Sequence, residues 1–121
     1  MDKDFSFETW KEANEIAEVC AQLLDNADLE IEINSFPIEI KLVFFVVGSD
    51  IKVVVQCRRV KNLQILKDPE EEPRFTVLET SITNPEAGQW NVSIKPVAMI
   101  DISCEELEWK IEKMTEAERN I

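Results

Sequence analysis

No histidine occurs anywhere in the 121 residues. That removes the commonest general base, the Ser-His-Asp and Cys-His arrangements, and the most frequent transition-metal ligand. The carboxylates do not make up for the loss. Glu30 and Glu32 alternate along a strand pattern, where pleating puts polar residues on the wet face without any acid/base pairing. Asp68 with Glu70, Glu71 and Glu72 could gather a hard cation, but the alternating ligands and glycine of a calcium loop are missing, so a solvated loop without metal is expected. The two glycines, Gly48 and Gly88, cannot build a P-loop or a dinucleotide-binding turn, which excludes nucleotide binding by those routes. Asn91-Val92-Ser93 matches a glycosylation sequon, yet no export signal is visible and no modification is expected. The reading is of a chain without enzymatic activity and without a cofactor.

What remains is chemistry of recognition. Residues 51 to 67 contain Lys52, Arg58, Arg59, Lys61 and Lys67 and no acid, a basic island in a chain of net charge −12. Arg58, Arg59 and Lys61 could receive an acidic segment, since guanidinium groups pair carboxylates bidentately, or could be matched internally by Asp68 and Glu70 to Glu72. Cys20, Cys57 and Cys104 are odd in number and lack C-x-x-C spacing, so reduced, mostly buried thiols are expected.

These residues are carried by elements that the hydropathy pattern outlines. With 45% hydrophobic residues, the chain can bury one ordinary core, so residues 1 to 121 form a single domain. Ser6 can cap a helix to about Asn26, with Phe7, Trp10, Ala13, Cys20 and Ala27 on one stripe. Strands follow over Leu29 to Phe36, Ile38 to Val47 and Ile51 to Leu66, the last slipping its period near Arg58, where a bulge or bend is expected. Gly48-Ser49-Asp50 supplies the hairpin turn between the second and third. A fourth strand covers about Arg74 to Thr83 and a fifth Gln89 to Ile102, interrupted by Pro96, which places it at an edge or a bulge. Ser103-Cys104-Glu105-Glu106 fits a capping box opening a helix to about Arg119, with Leu107, Ile111 and Met114 on one stripe. Trp109 lies off that stripe, either an exposed anchor or folded back over the sheet edge.

The expected fold is therefore α+β: an N-terminal helix, a five-stranded antiparallel twisted sheet and a C-terminal helix. The longest apolar run, Leu42 to Val47, is far short of the roughly 20 residues of a membrane-spanning helix. Residues 1 to 28 hold eight acids against two bases and residues 101 to 121 seven against three, a surface that repels a phosphate backbone. A cytoplasmic protein that binds neither nucleic acid nor membrane is expected.

A small acidic domain running from the Ser6 helix through an antiparallel sheet to the Ser103-Cys104-Glu105-Glu106 helix resembles the secretion-chaperone-like families of bacteria. The resemblance implies a homodimeric binder of extended segments of other proteins. It departs from those families at Lys67 to Pro73, where they insert a helix. The apolar residues of the second strand point in the same direction. Val43, Phe45 and Val47 face one side and Leu42, Phe44 and Val46 the other, more than two helices on one face can cover. Val43, Phe45, Val47, Arg58, Arg59, Lys61 and Trp109 are the candidate partner-binding residues, with strand addition at the fifth strand as a further mode. The alternative is a pocket between sheet and helices in which Arg58, Arg59 and a tryptophan fix an anionic or aromatic ligand.

Overall fold

Alternation of apolar and polar residues dominates the chain from Asp28 to Lys113, and the computed structural model turns most of it into strand. The structure describes residues 6–35, 37–65, 74–95 and 100–119. In chain order these form α1 (Phe7–Trp10), α2 (Ile16–Leu23), β1 (Asp28–Ser35), β2 (Ile38–Phe45), β3 (Ile51–Ile65), β4 (Arg74–Thr76), β5 (Glu79–Glu86), β6 (Gln89–Lys95), β7 (Ile100–Lys113) and α3 (Glu116–Arg119). The architecture is α+β, with one antiparallel sheet in the order β4-β1-β2-β3-β7-β6-β5.

β4 and β5 stand at opposite ends of that order, yet only Val77 and Leu78 separate them along the chain. At about 3.8 Å per residue the two ends of the sheet must meet. Val77 N–H donates to the Ala27 carbonyl just ahead of β1 at 2.9 Å, and Leu78 N–H donates to the Lys95 carbonyl on β6 at 3.0 Å. One stretch of chain thus pairs first with β1 and then with β6, and the sheet curls into a barrel-like layer. Its inner face holds the core. Leu29, Phe44 and Val53 lie side by side on β1, β2 and β3, with Leu42 and Val55 in the next row, all without solvent exposure. α2 packs against β5 and buries Val19, Cys20 and Leu23.

β3 and β7, fifteen and fourteen residues long, run through both halves of the curl and must bend to do so. The bend lies where their ladder slips between Val60 and Asn62, with Arg59 in the left-handed region at φ 54°. Core-packed positions recur every second residue at Val53, Val55 and Cys57, then three residues apart through Val60 to Leu63, before Ile65 resumes the two-residue spacing. The irregularity expected near Arg58 is therefore present, and the Gly48-Ser49-Asp50 turn also forms, with Gly48 at φ +80°.

Other expectations need correction. The sheet has six strands of seven residues or more plus the three-residue β4, not five. The single N-terminal helix is two short ones. Ser6 does cap the first, its Oγ accepting from Thr9 N–H at 3.4 Å, but Trp10 buries near β7 and Cys20 near β5. One straight helix presents a single stripe to a single neighbour, so the chain breaks at Lys11 to Glu15 to serve both. The strand over Arg74 to Thr83 divides at Val77, where its partner changes. The fifth strand is β6 and the beginning of β7, both inside the sheet, so it offers no open edge at β6 for strand addition.

The largest correction concerns the C-terminal helix. Ser103 to Lys113 is strand, and only Glu116–Arg119 is helical. Leu107, Trp109 and Ile111 alternate with Glu106, Glu108, Lys110 and Glu112, and pairing with Cys57, Val55 and Val53 of β3 buries that row in part. A capping box is a local signal worth about 1 kcal/mol, which a full ladder outweighs.

The surplus apolar face is not found either. A curled sheet covers its own inner face, and on the outer face Phe45 is 4% exposed beneath the Arg74 guanidinium, 3.7 Å from the ring centroid. Val43 is half-buried, and Val47 lies in the turn after β2 and does not extend its row. Phe36, Lys67 to Pro73 and Pro96, with the features expected there, lie outside the described residues.

Candidate functional site

β1 pairs with β2 along its whole length, from Asp28 opposite Phe45 to Ser35 opposite Ile38. On its other side it pairs with β4 only from Asp28 to Glu30. Among the described residues nothing pairs with Ile31 to Ser35 on that side, which leaves a row of backbone donors and acceptors at a sheet edge. Four large apolar side chains are exposed among the described residues, and two of them, Ile33 at 43% and Ile38 at 49%, stand on this hairpin. The other two, Val47 and Leu78, sit in a turn and a crossover.

Among the described residues β3 beyond Arg58 also lacks a partner on its β2 side, but Lys61, Asn62 and Gln64 are exposed there in place of large apolar side chains. The free side of β5 is covered by α2, where Ile82 N–H donates to the Cys20 thiol sulfur. β1 combines open backbone with exposed apolar side chains.

The outward face of the sheet beside β1 carries an open groove of about 790 Å³. Its floor is Val43, Phe45 and Val54, and four acids, Glu30, Glu32, Glu112 and Glu118, stand along it with two bases, Lys41 and Lys52. Arg74 Nη2 lies 3.1 Å from Glu30 Oε1, so the one residue pair that β4 adds opposite Glu30 is a cation against an acid. Lys52 Nζ lies 3.0 Å from Glu118 Oε2 and 3.9 Å from Glu112. The Thr115 N–H, together with Lys52, holds the Glu118 carboxyl below the usual carboxylate range. Glu32, the next outward acid along β1, has no ion-pair partner among the described residues.

The basic island is matched within the chain. Arg58 Nη1 lies 2.6 Å from Glu108 and its Nε 3.5 Å from Glu39. Arg59 reaches Glu105 and Glu106 at 3.8 and 3.6 Å, and Lys61 reaches Glu105 at 3.3 Å. Glu105, Glu106 and Glu108 come from β7 across the ladder, where a helix was expected, and Glu39 comes from β2. Such exposed pairs contribute about 0 to 1 kcal/mol each, enough to orient the cations but not to bury them. Trp109 is half-buried opposite Val55 and packs against the core, the folded-back alternative. Among the candidate partner-binding residues, the structure groups Arg58, Arg59 and Lys61 at the bend, puts Arg58 and Trp109 in the lining of one small cavity of about 200 Å³, sets Val43 and Phe45 on the groove floor and leaves Val47 in the turn after β2.

A second cavity of about 750 Å³ separates α2 from β5, walled by Ala17, Ala21, Leu78 and Thr80. Neither Arg58, Arg59 nor a tryptophan lines it. Thr80 is 4% exposed and its Oγ1 has no hydrogen-bond partner among the described residues. The three thiols are free and buried. Burial pushes Cys20 up to about 11 against the Ile82 N–H bond, and a thiol–thiol hydrogen bond to Cys104, with burial, pushes Cys57 well above its ordinary value. No cluster of three metal-ligating side chains exists among the described residues, and no helix among them is long and apolar enough to cross a membrane.

Ile33 and Ile38 were not singled out by their sequence, and Glu32 was read only as a wet-face acid beside Glu30. Their alternation is legible, but an edge position is not, because it depends on how far a three-residue strand fifty residues downstream extends along β1. No protein-family model matches the chain, and no curated protein is similar to it.

Proposed function

We propose that this chain is a non-catalytic protein-interaction module, chaperone- or adaptor-like, that takes up an extended segment of another protein as an added strand on β1. The observation that carries this reading is the side of Ile31 to Ser35 that no described residue pairs with, beside the exposed Ile33 and Ile38. Main-chain pairing supplies affinity with little dependence on side chains, and the two isoleucines offer apolar area to alternate residues of the guest.

Self-association is the other use of an open edge. Two copies aligned along β1 would bring their Glu30 and Glu32 rows together, and each copy carries net charge −12, so a foreign segment fits this edge better than a second copy. Sedimentation measures the homodimer directly. Amide exchange with a saturating extended peptide tests the site: protection confined to Ile31–Ser35 is expected, and protection elsewhere or nowhere refutes the proposal.

One observation favours a second reading, a small-ligand site. The orphaned Thr80 hydroxyl is buried in the wall of the α2–β5 cavity. A buried hydroxyl without a partner costs about 1 to 3 kcal/mol, which a polar ligand atom would recover. A ligand that raises Tm for the natural protein but not for Thr80→Val would establish this reading. No such ligand in a thermal-shift screen would remove it.

A further inference from the structure

We infer that the guest strand of β1 is cationic: an extended segment in which apolar residues alternate with lysine or arginine, the apolar ones lying beside Ile31 and Ile33 and a basic one opposite Glu32. The inference rests on the strand-addition reading and adds the chemistry of the partner. Its template is within the chain. Where β4 adds to β1, Arg74 sits opposite Glu30, bonds its carboxylate through Nε at 3.2 Å and Nη2 at 3.1 Å, and spreads over the Phe45 ring. Strand geometry repeats every second residue, so the next position of the same kind on β1 is Glu32. That carboxylate faces the same groove, and although Lys41 of β2 stands opposite it in the ladder, no ion pair within 4.0 Å engages it among the described residues.

A guest that continues the β4 pattern by two residues would bring its cation there. Its neighbours would be Val43 and Val54 on the groove floor, which can take an aliphatic stem while the charged head stays wet. The molecule as a whole supports the same sign of partner. A net charge of −12 draws a cationic segment in and turns an acidic one away.

The test uses three labelled decapeptides, in which valine alternates with lysine, serine or glutamate, titrated into the full chain by fluorescence anisotropy. The lysine peptide should bind about threefold to tenfold more tightly than the serine peptide, the span expected for one or two half-exposed ion pairs. The glutamate peptide should bind weakest. Raising salt from 0.05 to 0.5 M should erase most of the difference, at concentrations where screening acts within a few ångströms. Glu32→Lys should reverse the order of lysine and glutamate peptides, and Glu32→Gln should level it. Ile33→Asn should weaken all three alike. A lysine peptide N-methylated at every second residue should not bind, since it cannot pair through its backbone.

The possible failures are distinct. If the serine and lysine peptides bind equally and Glu32→Lys changes neither, the cationic requirement is overturned while strand addition at β1 stands. If no peptide binds, or if Ile33→Asn and N-methylation are without effect, strand addition itself falls and this inference falls with it. Circular dichroism of each variant separates lost binding from lost folding, and Glu32→Gln provides a milder change if the reversal destabilises β1.

Discussion

Truncating Leu42 tests the curl of the sheet on which every other assignment depends. Leu42 is central on β2, between Ile31 of β1 and Val55 of β3, and has no solvent exposure. Leu42→Ala removes three buried carbons at about 0.8 kcal/mol each, or about 2.4 kcal/mol of transfer free energy. β2 is held by ladders on both sides and cannot shift to fill the space, so the remaining cavity brings the total to about 3 to 4 kcal/mol. A chain of 121 residues has an unfolding entropy of roughly 0.25 kcal/mol/K at about 2.1 cal/mol/K per residue, so Tm should fall by about 12 to 16 °C. Val47→Ala is the reference. At 66% exposure in the turn after β2, it should cost less than about 0.5 kcal/mol, or about 2 °C. Thermal and urea unfolding followed by circular dichroism give both values. If Leu42→Ala is no more harmful than Val47→Ala, the inner face is not where the structure has it, and the reasoning from barrel closure fails with it.

Asp50 ties three elements at once, its Oδ1 accepting the Phe7 N–H at 2.7 Å and its carbonyl accepting the Met114 N–H at 2.8 Å. Asp50→Ala should cost about 1 to 2 kcal/mol and speed amide exchange in α1, whereas Asp50→Asn keeps an acceptor and most of the stability; equal losses would argue against the bond. Cys20, Cys57 and Cys104 are buried, and Cys20 stays protonated at pH 8 with its value near 11, so the folded chain should react slowly with a thiol reagent and yield three thiols only in denaturant. A rapidly labelled thiol in the folded protein would contradict this. Glu118 has a folded value below its unfolded one, so its contribution is fully present above the unfolded value, about 4.3, and is lost as pH falls through the lowered folded value. Glu118→Gln should therefore be less stable than the natural chain at neutral pH and equal to it in strong acid, and a difference independent of pH would show that Glu118 acts otherwise.

Features that a short window can specify were readable from residue types. Leu29 to Ile33 and Ile38 to Leu42 alternate with one period only and are strands with boundaries close to those expected, because no helical stripe competes there. Gly48 allows the left-handed turn, three thiols without metal spacing are buried, and Arg58 and Arg59 mark a bend because the apolar period slips around them. At Ser103 to Lys113 two periods coexist: Leu107, Ile111 and Met114 suit a helix, while Leu107, Trp109 and Ile111 suit a strand. Residues fifty positions away on β3, which offer a long unpaired ladder, resolve that contest. The remaining features are likewise non-local. That Ile33 is exposed while Ile40 opposite it is buried, that Phe45 is roofed by Arg74, and that among the described residues β1 has a partner on its β4 side only from Asp28 to Glu30 all follow from how the sheet closes on itself. A residue's periodicity states which neighbours share its face, but the partner that face or edge meets is set by loop closures far along the chain, and no local pattern carries that information.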